Sequence, residues 1–326
     1  MIAIYILVGL VLLAIGGDIV VRGAVTVARK LGVSELLIGL TLLGFGTSAP
    51  ELVTSVNAAL NGAPAVAVGN VVGSNISNVL LVFALAAIIM PVDVDPKATR
   101  RDGGVMVAAA IAAAALALTA GHYSALAGWV ALVCLGIYLV FIYFEETRSD
   151  QAPAAQMHAA EAEQIEGKDH GLAISLGLVA IGIAALVFGA DLLVKGAVDL
   201  ARQFGMSETV IGLTIVAIGT SLPELVATLA AALKGRSDVA FGNIVGSNIY
   251  NVLAILGVTA IVRPIDIPAD MMLLDWGVFI LSAIILVIHA ITGARVTRTE
   301  GFVMLAMFVG YMSYLVWRAQ NVLQPA

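Results

Sequence analysis

Two glutamates stand inside long apolar stretches of the sequence, each as the last residue of the same six-residue motif. The motif, Gly-Thr-Ser-x-Pro-Glu, occupies residues 46–51 and recurs at residues 219–224. Ionisable side chains in the middle of apolar stretches long enough to span a membrane are costly to bury, and they usually serve a function. Glu51 and Glu224 are therefore candidate cation ligands, because a carboxylate away from water needs a positive charge or a proton beside it.

Hydroxyl and amide side chains accompany each glutamate at spacings that could complete a cation site. A Thr and a Ser precede each glutamate by four and three residues, which places them on its helical face. A second duplicated motif, Gly-Ser-Asn-Ile-x-Asn at residues 73–78 and 246–251, sets its Ser and final Asn four residues apart. The candidate ligands are Glu51, Glu224, Thr47, Thr220, Ser48, Ser221, Ser74, Ser247, Asn78 and Asn251. All offer oxygen, which suits hard cations such as Ca²⁺, Na⁺, Mg²⁺ or Mn²⁺ and argues against Zn²⁺ or Cu⁺.

The charge of two adjacent glutamates restricts what the site can hold. One divalent ion, two monovalent ions or protonation would neutralise them, and these loads compete for the same oxygens. Such competition favours obligate exchange, whereas a cation channel needs weak binding and a continuous path. The alternatives are an antiporter coupled to H⁺ or K⁺ or carrying another divalent ion, a channel, an intramembrane enzyme using paired acids, and a purely structural protein packed through small residues.

The composition identifies the class of protein. Hydrophobic residues make up 61% of the chain, charged residues 12%, and the mean hydropathy is +1.05. A soluble domain carries about twice that share of charge, so the chain is predicted to be a multi-pass protein of the cell (inner) membrane. The single cysteine, Cys134, excludes a disulfide framework. Neither a cofactor, a nucleic acid nor an obligatory protein partner is predicted beside the ions and the lipid bilayer.

Ten apolar stretches are long enough to span a membrane as helices, which predicts an all-α fold. The predicted spans are residues 2–28, 35–60, 65–90, 103–120, 124–144, 171–201, 208–233, 239–262, 271–291 and 301–318. Spans two, three, seven and eight carry Gly, Pro, Ser or Asn at their middles and are predicted to be broken there. Asp18 with Arg22 and Asp191 with Lys195 are predicted to form ion pairs within helices one and six, and Ser34 and Ser207 to cap helices two and seven.

The chain is predicted to consist of two inverted five-helix repeats. A constant offset of 173 residues relates Gly16 to Gly189, Glu51 to Glu224 and Asn78 to Asn251. The repeats are residues 1–144 and 171–326, joined by a polar linker at residues 145–170. Because five is odd, the second repeat must enter the membrane from the opposite side. With both termini extracellular or periplasmic and the linker cytoplasmic, twelve of the 16 Lys and Arg residues lie inside.

The two duplicated motifs closely resemble the alpha repeats of the sodium/calcium exchanger family, within the cation/calcium antiporter superfamily. The short linker resembles the prokaryotic branch of that family. The resemblance covers both halves of the chain and implies a ten-helix fold with a central cluster of four ion sites. It implies a secondary antiporter, not an enzyme, that exchanges Na⁺ for Ca²⁺ by alternating access and normally extrudes Ca²⁺.

The resemblance also implies a role for each site residue. Glu51 and Glu224 would bind both ions, and Thr47 and Thr220 would help to bind Ca²⁺. The residues implied at flanking Na⁺ sites are Ser48, Ser74, Ser221 and Ser247, assisted by the carbonyls of Gly44 and Ala217. Asn78 and Asn251 would line the middle. Some members carry Asp where this chain has Asn251, so this site has one titratable group fewer than theirs, and the resemblance does not fix its ion stoichiometry or proton sensitivity.

Overall fold

The computed structural model describes residues 1–33, 38, 44–147 and 171–321, and these residues are predominantly helical. The helices are α1 (Ile2–Lys30), α2 (Gly44–Thr47), α3 (Ala49–Leu60), α4 (Pro64–Ile89), α5 (Pro96–Ala120), α6 (Ala125–Thr147), α7 (Leu172–Phe204), α8 (Glu208–Thr220), α9 (Leu222–Leu233), α10 (Ser237–Tyr250, continued by Asn251–Leu256 and Gly257–Val262), α11 (Leu273–Gly293) and α12 (Arg298–Asn321). Most of the predicted linker, the first part of the predicted second span and Ser34 lie outside the described residues.

The helices have the length and composition of membrane spans. In the part of the chain that the structure describes, eight helices are long and apolar enough to cross a membrane. The bent pair α8–α9 brings the number to nine if it forms one span. The pair α2–α3 is the described part of the predicted second span. The fold is therefore that of a multi-pass α-helical membrane protein.

Two of the four predicted helix breaks are present. The break between α2 and α3 lies at Ser48, and α8 and α9 meet at Ser221 with a bend of 46°. Pro50 and Pro223 stand in the first turn of the helix that follows each break, where proline's missing N–H costs nothing. Ser207 caps α8 as predicted, because its side chain accepts a hydrogen bond from the Val210 N–H at 3.2 Å.

The breaks predicted in helices three and eight are not found. Both α4 and α10 run on through the Asn that ends the second motif, and each contains a π-helical segment there, Asn78–Phe83 and Asn251–Leu256. Neither segment contains a proline, so no backbone N–H is lost and the chain widens its turn instead of interrupting it. The expectation of breaks in these two helices was wrong.

Helices α1 and α7 pack antiparallel along a row of glycines. A Cβ added at Gly9 would lie 2.8 Å from the carbonyl oxygen of Gly189, and one added at Gly16 would lie 2.9 Å from that of Gly182. The two contacts are equivalent, because the offset of 173 takes Gly9 to Gly182 and Gly16 to Gly189, which converts one contact into the other. Only glycine permits such an approach of two helix backbones. The offset seen in the motifs thus also relates the contacts between these helices.

Two short β-ribbons are also related by the offset of 173 residues. Strand β1 (Val92–Asp93) pairs antiparallel with β4 (Arg295–Val296), and β2 (His122–Tyr123) pairs antiparallel with β3 (Ile265–Asp266). The register pairs Val92 with Val296 and Tyr123 with Ile265. The offset of 173 takes residue 92 to 265 and residue 123 to 296, so it converts one pair into the other. Each ribbon therefore joins a loop of the first half to a loop of the second half.

A half-buried polar clasp joins α5 to α6, and a fully buried one joins α11 to α12. Asp275 accepts hydrogen bonds from the Tyr311 hydroxyl at 2.9 Å and from Arg318 Nη1 at 2.8 Å, and Asp275 and Arg318 are fully buried. At the offset positions, the Tyr138 hydroxyl donates to Asp102 at 3.0 Å. Position 145, the counterpart of Arg318, holds a glutamate that accepts from Arg101 Nη1 at 3.0 Å. Both clasps were missed from the sequence, although the offset relates their Asp and Tyr residues.

Helices α4 and α10 form the centre of the molecule. In each, 78% of the most apolar 18-residue window is buried, against 22% in α1 and α7 and 17% in α6. These two central helices carry the duplicated Gly-Ser-Asn-Ile-x-Asn motif. Because they are the most enclosed part of the described structure, most of their polar side chains lie away from bulk solvent, among protein groups, bound water or a bound ion.

Candidate ion site

The two glutamates come from opposite halves of the chain and each contacts the motif of the other half. Ser48 Oγ donates a hydrogen bond to Glu224 Oε1 at 3.1 Å. Reciprocally, Ser221 Oγ donates to Glu51 Oε1 at 3.2 Å. The structure therefore brings the two Gly-Thr-Ser-x-Pro-Glu motifs together at one place, as the sequence predicted.

The breaks at Ser48 and Ser221 position the carboxylates. Glu51 lies in the first turn of α3 and Glu224 in the first turn of α9, where the helix dipole favours a negative charge. The preceding helices α2 and α8 end at Thr47 and Thr220. Their C-terminal ends carry partial negative charge and so favour a cation in the same space.

Both carboxylates are buried with an unsatisfied oxygen. Glu51 and Glu224 are 0% exposed, and the Oε2 atom of each makes no hydrogen bond. Among the described residues, no Lys, Arg or His forms an ion pair with either glutamate. A buried carboxylate without a positive partner is strongly unfavourable. The arrangement accordingly requires a cation or a proton at this place.

The hydroxyls of α4 and α10 complete the lining. Ser247 Oγ lies 3.4 Å from Glu224 Oε1 and 3.4 Å from Ser48 Oγ. On the opposite side, Ser74 Oγ lies 3.4 Å from the carbonyl oxygen of Ala217 and 3.5 Å from Thr220 Oγ1. Backbone carbonyl and side-chain oxygens thus face the same space, which is the donor set that hard cations prefer.

The threonines and the Gly44 position fit the same arrangement less completely. Thr220 Oγ1 lies 3.5 Å from Ser74 Oγ and donates a hydrogen bond to Asn70 Oδ1 at 3.0 Å. Thr47 Oγ1 is buried and makes no hydrogen bond. Gly44 is the first residue of α2, at the edge of the described residues, and no contact of its carbonyl is described.

The amides at the end of the second motif are buried at the same level. Asn78 Nδ2 donates to Asn248 Oδ1 at 3.1 Å, while Asn78 Oδ1 has no partner. Asn251 is 1% exposed, and neither of its amide atoms makes a hydrogen bond. Asn248 Nδ2 instead donates to the Asn75 carbonyl at 3.3 Å. The unpaired amide oxygens of Asn78 and Asn251 are therefore available to an ion or to water.

Sequence reasoning gave no role to Asn70, which lies between the two halves. Its Nδ2 donates to Ser55 Oγ at 3.0 Å and to the Glu51 carbonyl at 3.3 Å, while its Oδ1 accepts from Thr220 Oγ1 at 3.0 Å. The available signal was the repeat itself, since the offset relates Asn70 to Asn243 in the stretch that leads into each second motif.

Two further buried hydroxyls of the first half are not repeated as Thr or Ser in the second half. Thr54 Oγ1 and Ser77 Oγ are buried and make no hydrogen bond. Their counterparts at the offset of 173 are Ala227, which has no hydroxyl, and Tyr250, whose hydroxyl lies at the far end of its ring. The two halves of the site are thus similar in their carboxylates but differ in the hydroxyls around them.

Comparison with known proteins agrees with this geometry. The sodium/calcium exchanger protein family model matches residues 1–145 and 174–317. The chain is 38% identical to CaxA of Alkalimonas amylolytica over 96% of this chain and 98% of that protein. It is 34% identical to the sodium/calcium exchanger MaX1 of Methanosarcina acetivorans over 95% of this chain and 97% of that protein.

A solved structure of the sodium-calcium exchanger NCX_Mj, soaked with 10 mM Na⁺ and no Ca²⁺, superimposes with a TM-score of 0.63. It shares 32% identity with this chain and covers 96% of this chain and 99% of its own. CaxA and MaX1 are proteins of prokaryotes, and the matched family consists of transporters, not of enzymes. On the evidence of the family match, these relatives and this structure, the chain belongs to the sodium/calcium exchanger family.

Proposed function

We propose that this cation/calcium antiporter exchanges Na⁺ for Ca²⁺ at the site between Glu51 and Glu224. In the proposed direction it normally extrudes Ca²⁺. The observation that carries the proposal is the pair of fully buried glutamates, each with an Oε2 atom that no protein group satisfies. No resident cofactor is required, because Na⁺ and Ca²⁺ are the transported substrates.

The proposed ligands come from six helices, α2, α3, α4, α8, α9 and α10. They are Glu51, Glu224, Thr47, Thr220, Ser48, Ser221, Ser74, Ser247, Asn78 and Asn251, with the carbonyls of Gly44 and Ala217. The crossed serine–glutamate hydrogen bonds at 3.1 and 3.2 Å support this assignment, since they place both carboxylates within reach of one set of oxygens.

Charge balance explains why the two ions would exclude one another. The two glutamates contribute a charge of −2, which one Ca²⁺ or two Na⁺ neutralise. An empty site would leave both charges buried, at a cost of several kcal/mol per ion. The protein would therefore change its conformation readily only when loaded, which is the requirement for coupled exchange.

Differences between the two seams that flank the site support alternating access. The seam between α4 and α8 is tight, because a Cβ added at Gly73 would lie 2.6 Å from the Ala217 Cβ. The counterpart of Gly73 in α10 is Gly246, and a Cβ added there meets nothing within 4 Å in the described structure. The contact of α4 with α8 is called the tight seam below, and its counterpart, the contact of α10 with α2, is called the loose seam, because Gly246 has no close neighbour among the described residues.

The helices α3 and α9 differ in the same sense. Ala49 at the start of α3 is 3% exposed, whereas its counterpart Leu222 in α9 is 39% exposed. Val53 is partly buried, whereas its counterpart Val226 is 68% exposed. One arrangement with unequal coverage of equivalent helices implies a second arrangement in which the coverage is exchanged.

The proposed topology follows from the repeat and from the distribution of charge. The antiparallel packing of α1 and α7, which the offset relates, supports inverted repeats at residues 1–144 and 171–326. Each repeat would contribute five of ten spans. Both termini would lie outside the cell membrane and the linker at residues 145–170 in the cytoplasm, so the tight seam faces outward. A cysteine at His122 should then react only from outside, and one at Lys234 only from the cytoplasm, in a Cys134→Ser background.

Ion flux in sealed vesicles tests the proposed function. The purified chain is reconstituted into proteoliposomes, and ⁴⁵Ca²⁺ uptake is measured with outward gradients of Na⁺, K⁺ or H⁺ imposed in turn. Uptake that requires Na⁺ on the far side is the expected result. Uptake driven by K⁺ or H⁺ alone would replace the counter-ion, and uptake without any counter-ion would show a channel and overturn the proposal.

A further inference from the structure

One hydrogen bond ties the tight seam to the ion site. Thr220 Oγ1, in α8, lies 3.0 Å from Asn70 Oδ1, in α4, and both residues are buried. The hydroxyl also lies near two carbonyls of its own helix, at 3.1 and 3.3 Å, but the contact with Asn70 is the shortest and joins the two halves. It lies one helical turn from Gly73, where the two helices approach most closely.

Asn70 is well placed to accept this hydrogen bond. Its Nδ2 is directed by Ser55 Oγ at 3.0 Å and by the Glu51 carbonyl at 3.3 Å, so the amide orientation is set and Oδ1 is turned to α8. A side chain held by two donated hydrogen bonds is preorganised, and little rotamer freedom remains to be lost when the third bond forms.

The equivalent bond is absent at the loose seam. Asn243, the counterpart of Asn70, is half-buried and donates to Thr228 Oγ1 at 2.9 Å, as Asn70 does to Ser55. Thr47, the counterpart of Thr220, keeps its Oγ1 buried and without a hydrogen-bond partner. The asparagine and the threonine are therefore present on both sides of the site, but within the described residues only the tight seam has them joined.

We propose that Asn70 and Asn243 are alternating latches of the two seams. Asn70 accepts from Thr220 when the α4–α8 seam is closed, and Asn243 accepts from Thr47 when the opposite seam is closed. This inference rests on the proposed function, because the two threonines are also proposed ion ligands. A hydroxyl proton donated to an asparagine leaves the threonine lone pairs for a cation, so latching and ion binding reinforce each other.

The two asparagines are positioning residues in this account, and their removal has opposite consequences. Asn70→Ala weakens the closed α4–α8 seam, whereas Asn243→Ala weakens the alternative state in which that seam is open. Loss of one hydrogen bond of about 1 kcal/mol changes a ratio of two states by about fivefold. Because each variant also loses a bond to a hydroxyl of its own helix hairpin, each serves as the control for general loss of packing in the other.

A cysteine at Val66 reports the state of the α4–α8 seam. Val66 is 0% exposed, and its backbone lies about 3 Å from a Cβ added at Gly212 of α8. In a Cys134→Ser background, a membrane-impermeant maleimide added from outside should label Val66→Cys about fivefold faster with Asn70→Ala and about fivefold slower with Asn243→Ala. A shift in the same direction for both variants, or none, would overturn the proposal.

A second measurement connects the effect to the threonine hydroxyl. In a Thr220→Val background, Asn70→Ala should change the labelling rate no further, since the donor is already absent. The same fivefold acceleration in that background would mean that Asn70 acts without Thr220, and the latch would be wrong. The labelling rates do not require transport, so loss of Na⁺-driven Ca²⁺ flux in the parent would refute the proposed function separately.

Discussion

At the centre of the site the two glutamates make equivalent contacts with the motif serine of the other half, whereas at the two seams beside it the halves of the chain differ. The crossed hydrogen bonds from Ser48 to Glu224 and from Ser221 to Glu51 differ by only 0.1 Å. Gly73 and Gly246 are also equivalent in sequence, yet Gly73 is in close contact with α8, whereas a Cβ added at Gly246 meets nothing within 4 Å among the described residues. Under the proposed function, the centre would hold the ions from both halves alike, and the seams would determine from which side the ions arrive.

Neutralising one central carboxylate should give the largest effect. Glu51→Gln or Glu224→Gln keeps the shape of the side chain but removes half of the charge that balances Ca²⁺. Losing a charged ligand of about 3 kcal/mol lowers Na⁺-driven Ca²⁺ flux by about a hundredfold. Because the halves are equivalent at the centre, both variants should fail alike. Flux equal to the parent in either variant would place the site elsewhere.

Removing the negative charge from each polar clasp should lower the stability of the protein by unequal amounts. The two glutamate substitutions, in contrast, should have equal effects. Asp275→Asn leaves the Arg318 guanidinium buried without a negative partner, which costs about 3–5 kcal/mol. Asp102→Asn should cost less, because Asp102 and Arg101 are 18% and 16% exposed and Glu145 remains beside the arginine. Thermal unfolding in detergent measures both. Equal losses of Tm would show that burial does not distinguish the two clasps.

Replacing the glycines at the two seams by alanine should affect stability at one seam only but slow transport at both. Gly73→Ala places a methyl group against Ala217 and should lower the free energy of unfolding by about 1–3 kcal/mol, while Gly246→Ala has room and should leave it nearly unchanged. Both should slow exchange, since each seam must close once per cycle. A Gly246→Ala variant that exchanges as fast as the parent would argue against closure of the second seam.

Position 251 should tune the charge of the centre. Asn251→Asp adds a carboxyl group close to the site, which is protonated at low pH and resembles the parent's amide there, but adds a negative charge at high pH. Exchange should persist and acquire a dependence on pH that the parent lacks. Flux measured against pH at fixed ion gradients tests this. Superimposable profiles and equal ion affinities would mean that residue 251 does not face the ions.

Much of the site could be predicted from the sequence because its chemistry is duplicated. A carboxylate, hydroxyls and a proline at one constant offset predicted both the convergence of Glu51 with Glu224 and the interruption beside each. The clasps at Asp102 and Asp275 obey the same offset, and they were missed because an Asp and a Tyr 36 residues apart form no local motif.

Other features could not be read from the repeat. The motif of α4 and α10 predicted broken helices, but an Asn without a proline is accommodated by a wider turn. Nor could the state of the seams be predicted, because Gly73 and Gly246 stand in nearly the same local sequence. Which of them is in contact depends on how the two halves are arranged and not on local composition.

Equilibrium binding tests the central claim most directly. Binding of ⁴⁵Ca²⁺ to the purified chain is measured at rising Na⁺ concentration, for the parent and for the double variant Glu51→Gln/Glu224→Gln. The account predicts that Na⁺ displaces Ca²⁺ from the parent with a steeper than hyperbolic dependence, because two Na⁺ replace one Ca²⁺, and that the double variant binds no Ca²⁺ in this range. Undiminished Ca²⁺ binding by the double variant, or binding to the parent that Na⁺ leaves unchanged, would contradict it.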